Sequence, residues 1–230
     1  MKKIPIAVIF LICSIGVAQI QNQQLNRLSD LEFYVRTNNP TYSAAEGSRY
    51  LNDEFLPARI NGIQKTQLLR FNVPDNVVEV MNSKNEIMAL SFKKGYTIKI
   101  MDGLFKVYET HQYLDKDGKK QTTFFEKLYE EGNFKLYLKE NIKFTPAKKA
   151  KSGYEPAKPA TFIKVNDTFY ALGFNTESEL LTVLPLKRKK LIPLFGEHAQ
   201  TMEKMIKSEK LNIKDKEDLT ALFVAYFKLL

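Results

Sequence analysis

From residue 48 to residue 173 turn signals interrupt the chain again and again, and that recurrence narrows the choice of fold more than any other feature. Asn61-Gly62, Ser83-Lys84-Asn85, Asp102-Gly103, the "DKDG" of residues 115–118, Glu131-Gly132-Asn133 and Asn166-Asp167 each separate two runs rich in β-branched and aromatic residues. Asn-Gly and Asp-Gly tolerate the positive φ that tight hairpins require, and the intervening side chains suit a pleated surface. Within the runs the period is two. Phe134, Leu136 and Leu138 fall on one side, with Lys135, Tyr137 and Lys139 on the other. The pattern predicts an antiparallel meander over 48–173, with one face packed and one face solvated.

At residue 186 the period changes to 3.6. Leu191, Leu194, Phe195, His198, Met202, Met205 and Ile206 share one helical face, and Pro193 with Gly196 divides that segment into a short helix and a longer one. The last helix is the clearest. Asp215 is placed to cap it, Glu217 and Asp218 sit in its first turn where the helix dipole favours acids, and Leu219, Leu222, Phe223, Tyr226, Phe227 and Leu230 form one apolar stripe. The expected fold class is therefore α+β: an antiparallel β-sheet meander followed by two or three C-terminal helices packed on it. The domain is expected to span residues 48–230, with the sheet in 48–173 and the helical part in 186–230. Residues 146–160, "PAKKAKSGYEPAKPA", have no apolar period and are expected to form an exposed basic loop.

The N-terminus carries an address. Lys2 and Lys3 precede the apolar run "IPIAVIFLICSIGV", and Gly16 and Ala18 supply small residues at the −3 and −1 positions of a cleavage site. The run is shorter than the roughly 20 residues a membrane span needs. Residues 1–18 are read as a signal peptide for export through Sec, giving a periplasmic or secreted product. The large Phe10, Leu11 and Ile12 before Cys13 do not fit a lipoprotein signal. Cleavage after Ala18 removes the one cysteine, so the expected product has no disulfide and no thiol nucleophile. It also removes two lysines from a net charge of +9, leaving 9 − 2 = +7. Residues 19–47 are a polar lead in which Leu25, Leu28 and Leu31 hint at one or two helical turns.

Chemistry is sparsely provided. No G-x-S-x-G, Walker A or G-x-G-x-x-G motif occurs, and there are two histidines. His111 shares a strand face with Glu109 and Tyr113, an arrangement open to acid–base work but more simply a surface pair. His198 lies on a helical stripe and reads as partly buried. Asp115, Asp117, Gly118 and Glu126 echo an EF-hand loop, yet the spacing is too long and strands flank it. Neither a metal site nor a cofactor is expected. The doublets Asp53-Glu54 and Glu130-Glu131 point to opposite faces of a strand and cannot pair within themselves. Lys187, Arg188, Lys189 and Lys190 begin a helix and offer a weak anion patch. Their basic character costs only about 0.3–1 kcal/mol each against the dipole.

Three stretches together carry a resemblance. "GSRYLNDEF" (47–55), "LLRFNVPDNVVEV" (68–80) and the ending "KRKKLIPLFGEH…LNIKDKEDLTALFVAYFKLL" are similar to a group of small exported proteins common in Bacteroidetes. The resemblance covers residue 47 to the end. It implies export and a shared fold, and it implies no activity. Phe71 and Phe227 replace tyrosines usual in that group, and Pro193 interrupts the first helix. The sequence thus favours a noncatalytic cell-envelope or secreted protein that binds an envelope protein, a glycan or an anionic lipid. The alternative is a hydrolase built on dispersed carboxylates.

Overall fold

A computed structural model describes residues 33–35, 42, 44–90, 95–103, 106–115, 117–150, 156–174 and 180–230. The signal segment 1–18 and Leu25, Leu28 and Leu31 lie outside the described residues. Residues 33–230 form one compact unit.

The strands are β1 (Phe33–Val35), β2 (Leu56–Ile60), β3 (Gln67–Asn72), β4 (Val77–Met81), β5 (Ile87–Leu90), β6 (Thr97–Ile100), β7 (Val107–Leu114), β8 (Lys120–Glu131), β9 (Phe134–Thr145), β10 (Thr161–Leu172) and β11 (Thr182–Val183). They join a single sheet in the order β1-β5-β4-β3-β2-β6-β7-β8-β9-β10-β11, with antiparallel pairing between all neighbours. The expected antiparallel sheet is present, but it is two meanders rather than one. β2 to β5 run outward in one direction. The free edge of β5 is taken by β1, through Phe33↔Leu90 and Val35↔Met88. The chain therefore returns to the other edge of β2, where Ala58 pairs with Ile100 and Ile60 with Ile98, and continues outward from there. Turn residues mark where a chain reverses. They do not say which edge it joins next.

Two further expectations are corrected. Asn166-Asp167 is not a hairpin turn, because β10 runs through it. Val165 pairs with Asn141 and Thr168 with Lys139, so Asn166 and Asp167 together oppose Glu140 in a β-bulge. The Asn141 side-chain amide stabilises the bulge, donating to the Asn166 carbonyl at 3.0 Å and the Thr168 hydroxyl at 3.1 Å. Asx side chains satisfy backbone groups in a bulge as readily as in a turn, which is why the dipeptide misleads. Nor is the second face of β7–β10 a solvated one. Phe125, Tyr137, Tyr170 and Leu181 pack there into a second core, and Tyr137 is fully buried. The sheet curls until the segment that holds β11 reaches β7 as well as β10. Leu181 bridges Tyr113 of β7 while β11 pairs with β10.

The first face carries the helices. α1 (Arg188–Leu191) is one turn. A 3₁₀ stretch (Ile192–His198) follows and breaks at Gly196, whose φ of 56° and ψ of −127° are not helical. α2 (Ala199–Ser208) and α3 (Lys216–Phe227) are the two longer helices. The Asp215 carboxylate caps α3, accepting from the backbone N–H of Glu217 at 3.0 Å and of Asp218 at 3.1 Å. Leu219, Leu222 and Phe223 are fully buried, and the Phe223 ring stacks on Phe134 of β9 at 4.9 Å. Lys216 ties the start of α3 to the buried Glu126 of β8 at 3.2 Å. The helix ends at Phe227, so Leu230 leaves the stripe and stands 71% exposed. Residues 146–150 and 156–159 are exposed, and Lys148 and Lys158 pair through two backbone hydrogen bonds of 2.9 Å.

Candidate binding cleft

β8 and β9 are each twelve residues long, yet they pair only from Glu126↔Leu138 to Glu131↔Phe134. Beyond that point they separate. Lys120–Phe125 pairs with β7, and Lys139–Thr145 pairs with β10. The turn between β3 and β4 reaches into this opening. Asn76, held at a φ of 51°, donates to the Thr122 carbonyl at 2.8 Å and accepts from the Thr123 hydroxyl. A cleft of about 270 Å³ remains where the two meanders meet.

Its wall is part aromatic and part amide. Phe71, Tyr108 and Phe124 contribute rings, with Phe71 and Tyr108 only 4.3 Å apart between centroids. Asn72, Asn76, Gln121 and Thr123 supply neutral polar groups, and Lys139 and Glu140 supply charge. Burial, with the adjacent Glu140 charge behind it, pushes the Tyr108 hydroxyl well above its usual pKa. That hydroxyl donates to Glu140 at 3.2 Å, and Lys164 approaches the other Glu140 oxygen at 3.3 Å. Burial also raises the pKa of Asp167, but Asp167 does not line the cleft. Glycoside cleavage uses two carboxyls flanking one bond. Among the described residues the cleft presents one, Glu140, already engaged.

Glu109 and His111 do meet, with His111 Nε2 3.3 Å from Glu109 Oε2. They meet in company. The Tyr137 hydroxyl donates to Glu109 at 2.6 Å and Lys127 Nζ lies 3.0 Å from its other oxygen. These donors, the hydrogen bond from His111 foremost, hold the carboxyl well below the usual range. A carboxylate stabilised that far is a poor general base near neutral pH. Tyr113 instead turns its ring to Tyr170 and lines the cleft.

The other sequence candidates scatter. Lys187, Arg188, Lys189 and Lys190 are all exposed, around a helix too short to carry a dipole of consequence. His198 is partly buried, with its ring 5.9 Å from Tyr226. Asp53 and Glu54 are exposed, while Glu130 bridges Lys127 and Lys135. Asp115 is a turn carboxylate, accepting from the N–H of Asp117 and Lys119. Among the described residues, no three His, Cys, Asp or Glu side chains converge to hold a metal, and no helix is long and apolar enough to cross a membrane.

One cluster escaped the sequence reading. Glu79, 2% exposed, takes a hydrogen bond from Arg70 Nε at 2.9 Å and one from Asn72 at 3.1 Å. Arg70 also donates to the Tyr50 hydroxyl at 2.8 Å and lies over the Tyr50 ring. A glutamate inside the apolar run "VVEV" was the available signal. Comparisons with protein-family models, curated proteins and solved structures returned no match.

Proposed function

We propose that the protein is a noncatalytic binding protein of the cell envelope or the secreted fraction, and that its ligand enters the cleft between β8 and β9. The observation that carries the reading is the cleft itself. It is concave, mixed aromatic and amide in lining, and supplied with a single engaged carboxylate. Ligand sites commonly combine an apolar wall with a few placed polar groups, whereas hydrolysis by dispersed carboxylates needs a second free acid in the same space. The signal-like leader and the resemblance to small exported proteins support the envelope or secreted location. An envelope protein, a glycan or an anionic lipid then provides the partner. The exposed Lys187–Lys190 run and Lys148, Lys149 and Lys158 of the 146–160 loop add a surface attraction of low specificity.

A thermal-shift panel of soluble glycan fragments, short peptides and lipid headgroups tests the reading, with product analysis of each mixture. At least one class is expected to raise the melting temperature without being consumed. Gln121→Trp, at the exposed rim of the cleft, is expected to abolish that rise. A panel without effect, or a Trp variant that responds like the parent, would sink the reading. Cleaved fragments would transfer it to the hydrolase alternative.

A further inference from the structure

Among the described residues, Lys139 is the one cation that lines the cleft. Its ammonium donates to Asn141 Oδ1 at 2.8 Å and lies 5.9 Å from the centroid of the Tyr113 ring. Among the described residues no carboxylate stands within ion-pair distance of it. That sets it apart from other lysines that reach the sheet. Lys106 and Lys216 reach Glu126, Lys127 reaches Glu109, and Lys135 reaches Glu130. Glu140 follows Lys139 in sequence and lines the same cleft, but its side chain leaves the other side of β9, where the Tyr108 hydroxyl and Lys164 engage it.

Burial pulls the Lys139 pKa down from its usual value, and no opposing carboxylate raises it. An ammonium has three donors, and one neutral amide oxygen satisfies one of them. Taking a charge out of water without a counter-charge is unfavourable, so the unanswered charge marks the position where a negative group from outside gains most. Tyr113, Gln121 and Thr123 line the same cleft, and the Gln121 amide donates outward to the Asp115 carboxylate at 3.2 Å.

We propose that the cleft binds a small ligand through an oxyanion, a carboxylate or a phosphate, with Lys139 as its charge partner. The assignment rests on reading the cleft as a binding site and names the chemistry of what it takes. About 270 Å³ accommodates the anionic group and a few attached atoms, which suits a metabolite-sized acid or the charged end of a larger molecule.

The test is an amide chemical-shift titration of the purified, isotope-labelled protein at constant ionic strength, with acetate, methyl phosphate and glucose added separately. Acetate or methyl phosphate is expected to give saturable shifts at Gln121, Thr123 and Asn76, and the stronger of the two distinguishes a carboxylate source from a phosphate source. Lys139→Gln is expected to weaken that binding at least tenfold, while Lys139→Arg keeps it within about threefold. Gln121→Glu places a repelling charge at an exposed rim position and is expected to weaken it comparably, so the conclusion stands even where a Lys139 variant folds poorly. Lys84→Gln, on the exposed turn between β4 and β5, is expected to change nothing. Anion shifts spread over surface lysines and retained in Lys139→Gln would overturn the proposal. Saturable glucose shifts at the cleft amides without any anion effect would overturn the oxyanion and leave the binding cleft standing. Silence from all three compounds would remove both.

Discussion

A charged side chain inside a small β-protein needs its partners named, and Glu79 and Lys139 represent two different answers. Glu79 is answered from within by Arg70 and Asn72, with the Tyr50 hydroxyl at 3.5 Å. Removing one partner of such a pair leaves the other charge buried, at a cost of about 3–5 kcal/mol. Glu79→Ala is therefore expected to lower stability by about that amount in urea unfolding, and a loss under 1 kcal/mol would mean that the pair is solvated. Lys139 is answered by an amide alone. Replacing it with the similarly shaped, uncharged methionine removes a desolvated charge at the cost of one hydrogen bond to Asn141. Lys139→Met is expected to melt no lower than the parent, as suits a residue kept for binding rather than for stability. A clear drop in melting temperature would assign Lys139 a structural role. Neither role could be read from the sequence. Glu79 looks like one more strand glutamate, and Lys139 alternates with leucines as a solvated residue does. Their partners come from β3 and the 50s loop in one case, and from a parting of two long strands in the other.

At the scale of elements the sequence was informative wherever the determinant was local. The α3 helix has its cap at Asp215, acids in its first turn, and a stripe whose members Leu219, Leu222 and Phe223 are buried. The hairpins at Ser83–Asn85, Asp115–Gly118 and Glu131–Asn133 connect the strands they were expected to connect. The failures are nonlocal. The bulge at Asn166-Asp167 depends on Asn141 in the neighbouring strand, and the burial of Tyr137 depends on Leu181, more than forty positions later. The cleft has the same origin, since a pairing that stops at Glu126↔Leu138 leaves no trace in the composition of either strand. Leu222 provides the test of helix docking. It is fully buried among Phe134, Leu136 and the α2 side chains, so Leu222→Ala is expected to cost about 2–5 kcal/mol, with the spread set by how far the site can collapse. Denaturant unfolding measures it directly. An unchanged midpoint would mean that α3 contributes nothing to the core.

For the molecule as a whole, acid should act first through carboxylates that join adjacent strands of the sheet. Glu109 of β7 is held by Lys127 of β8 and Tyr137 of β9, so one charge ties three strands. Its folded pKa is lowered from the ordinary 4.5 by hydrogen bonds from His111, Tyr137 and Lys127. Glu130 is lowered too, by hydrogen bonds from Lys127 and Lys135. The sign follows from linkage. As pH falls below about 4.5 the unfolded chain takes up these protons before the folded one does, so stability present above that value is lost progressively toward the depressed folded pKa. Asp167 works in the opposite sense, because burial raises its folded pKa and acid relieves that cost. Among the described residues it stands alone against them, since Asp115 and Glu203 are also held below their usual values, each mainly by a hydrogen bond from a neighbouring lysine's backbone or ammonium. The melting temperature is therefore expected to fall steadily between about pH 5 and pH 3, and Glu109→Gln, which keeps an acceptor for Tyr137 but no longer titrates, should show a visibly shallower fall. Parallel acid limbs for the two proteins would show that Glu109 is not held by its three donors in solution.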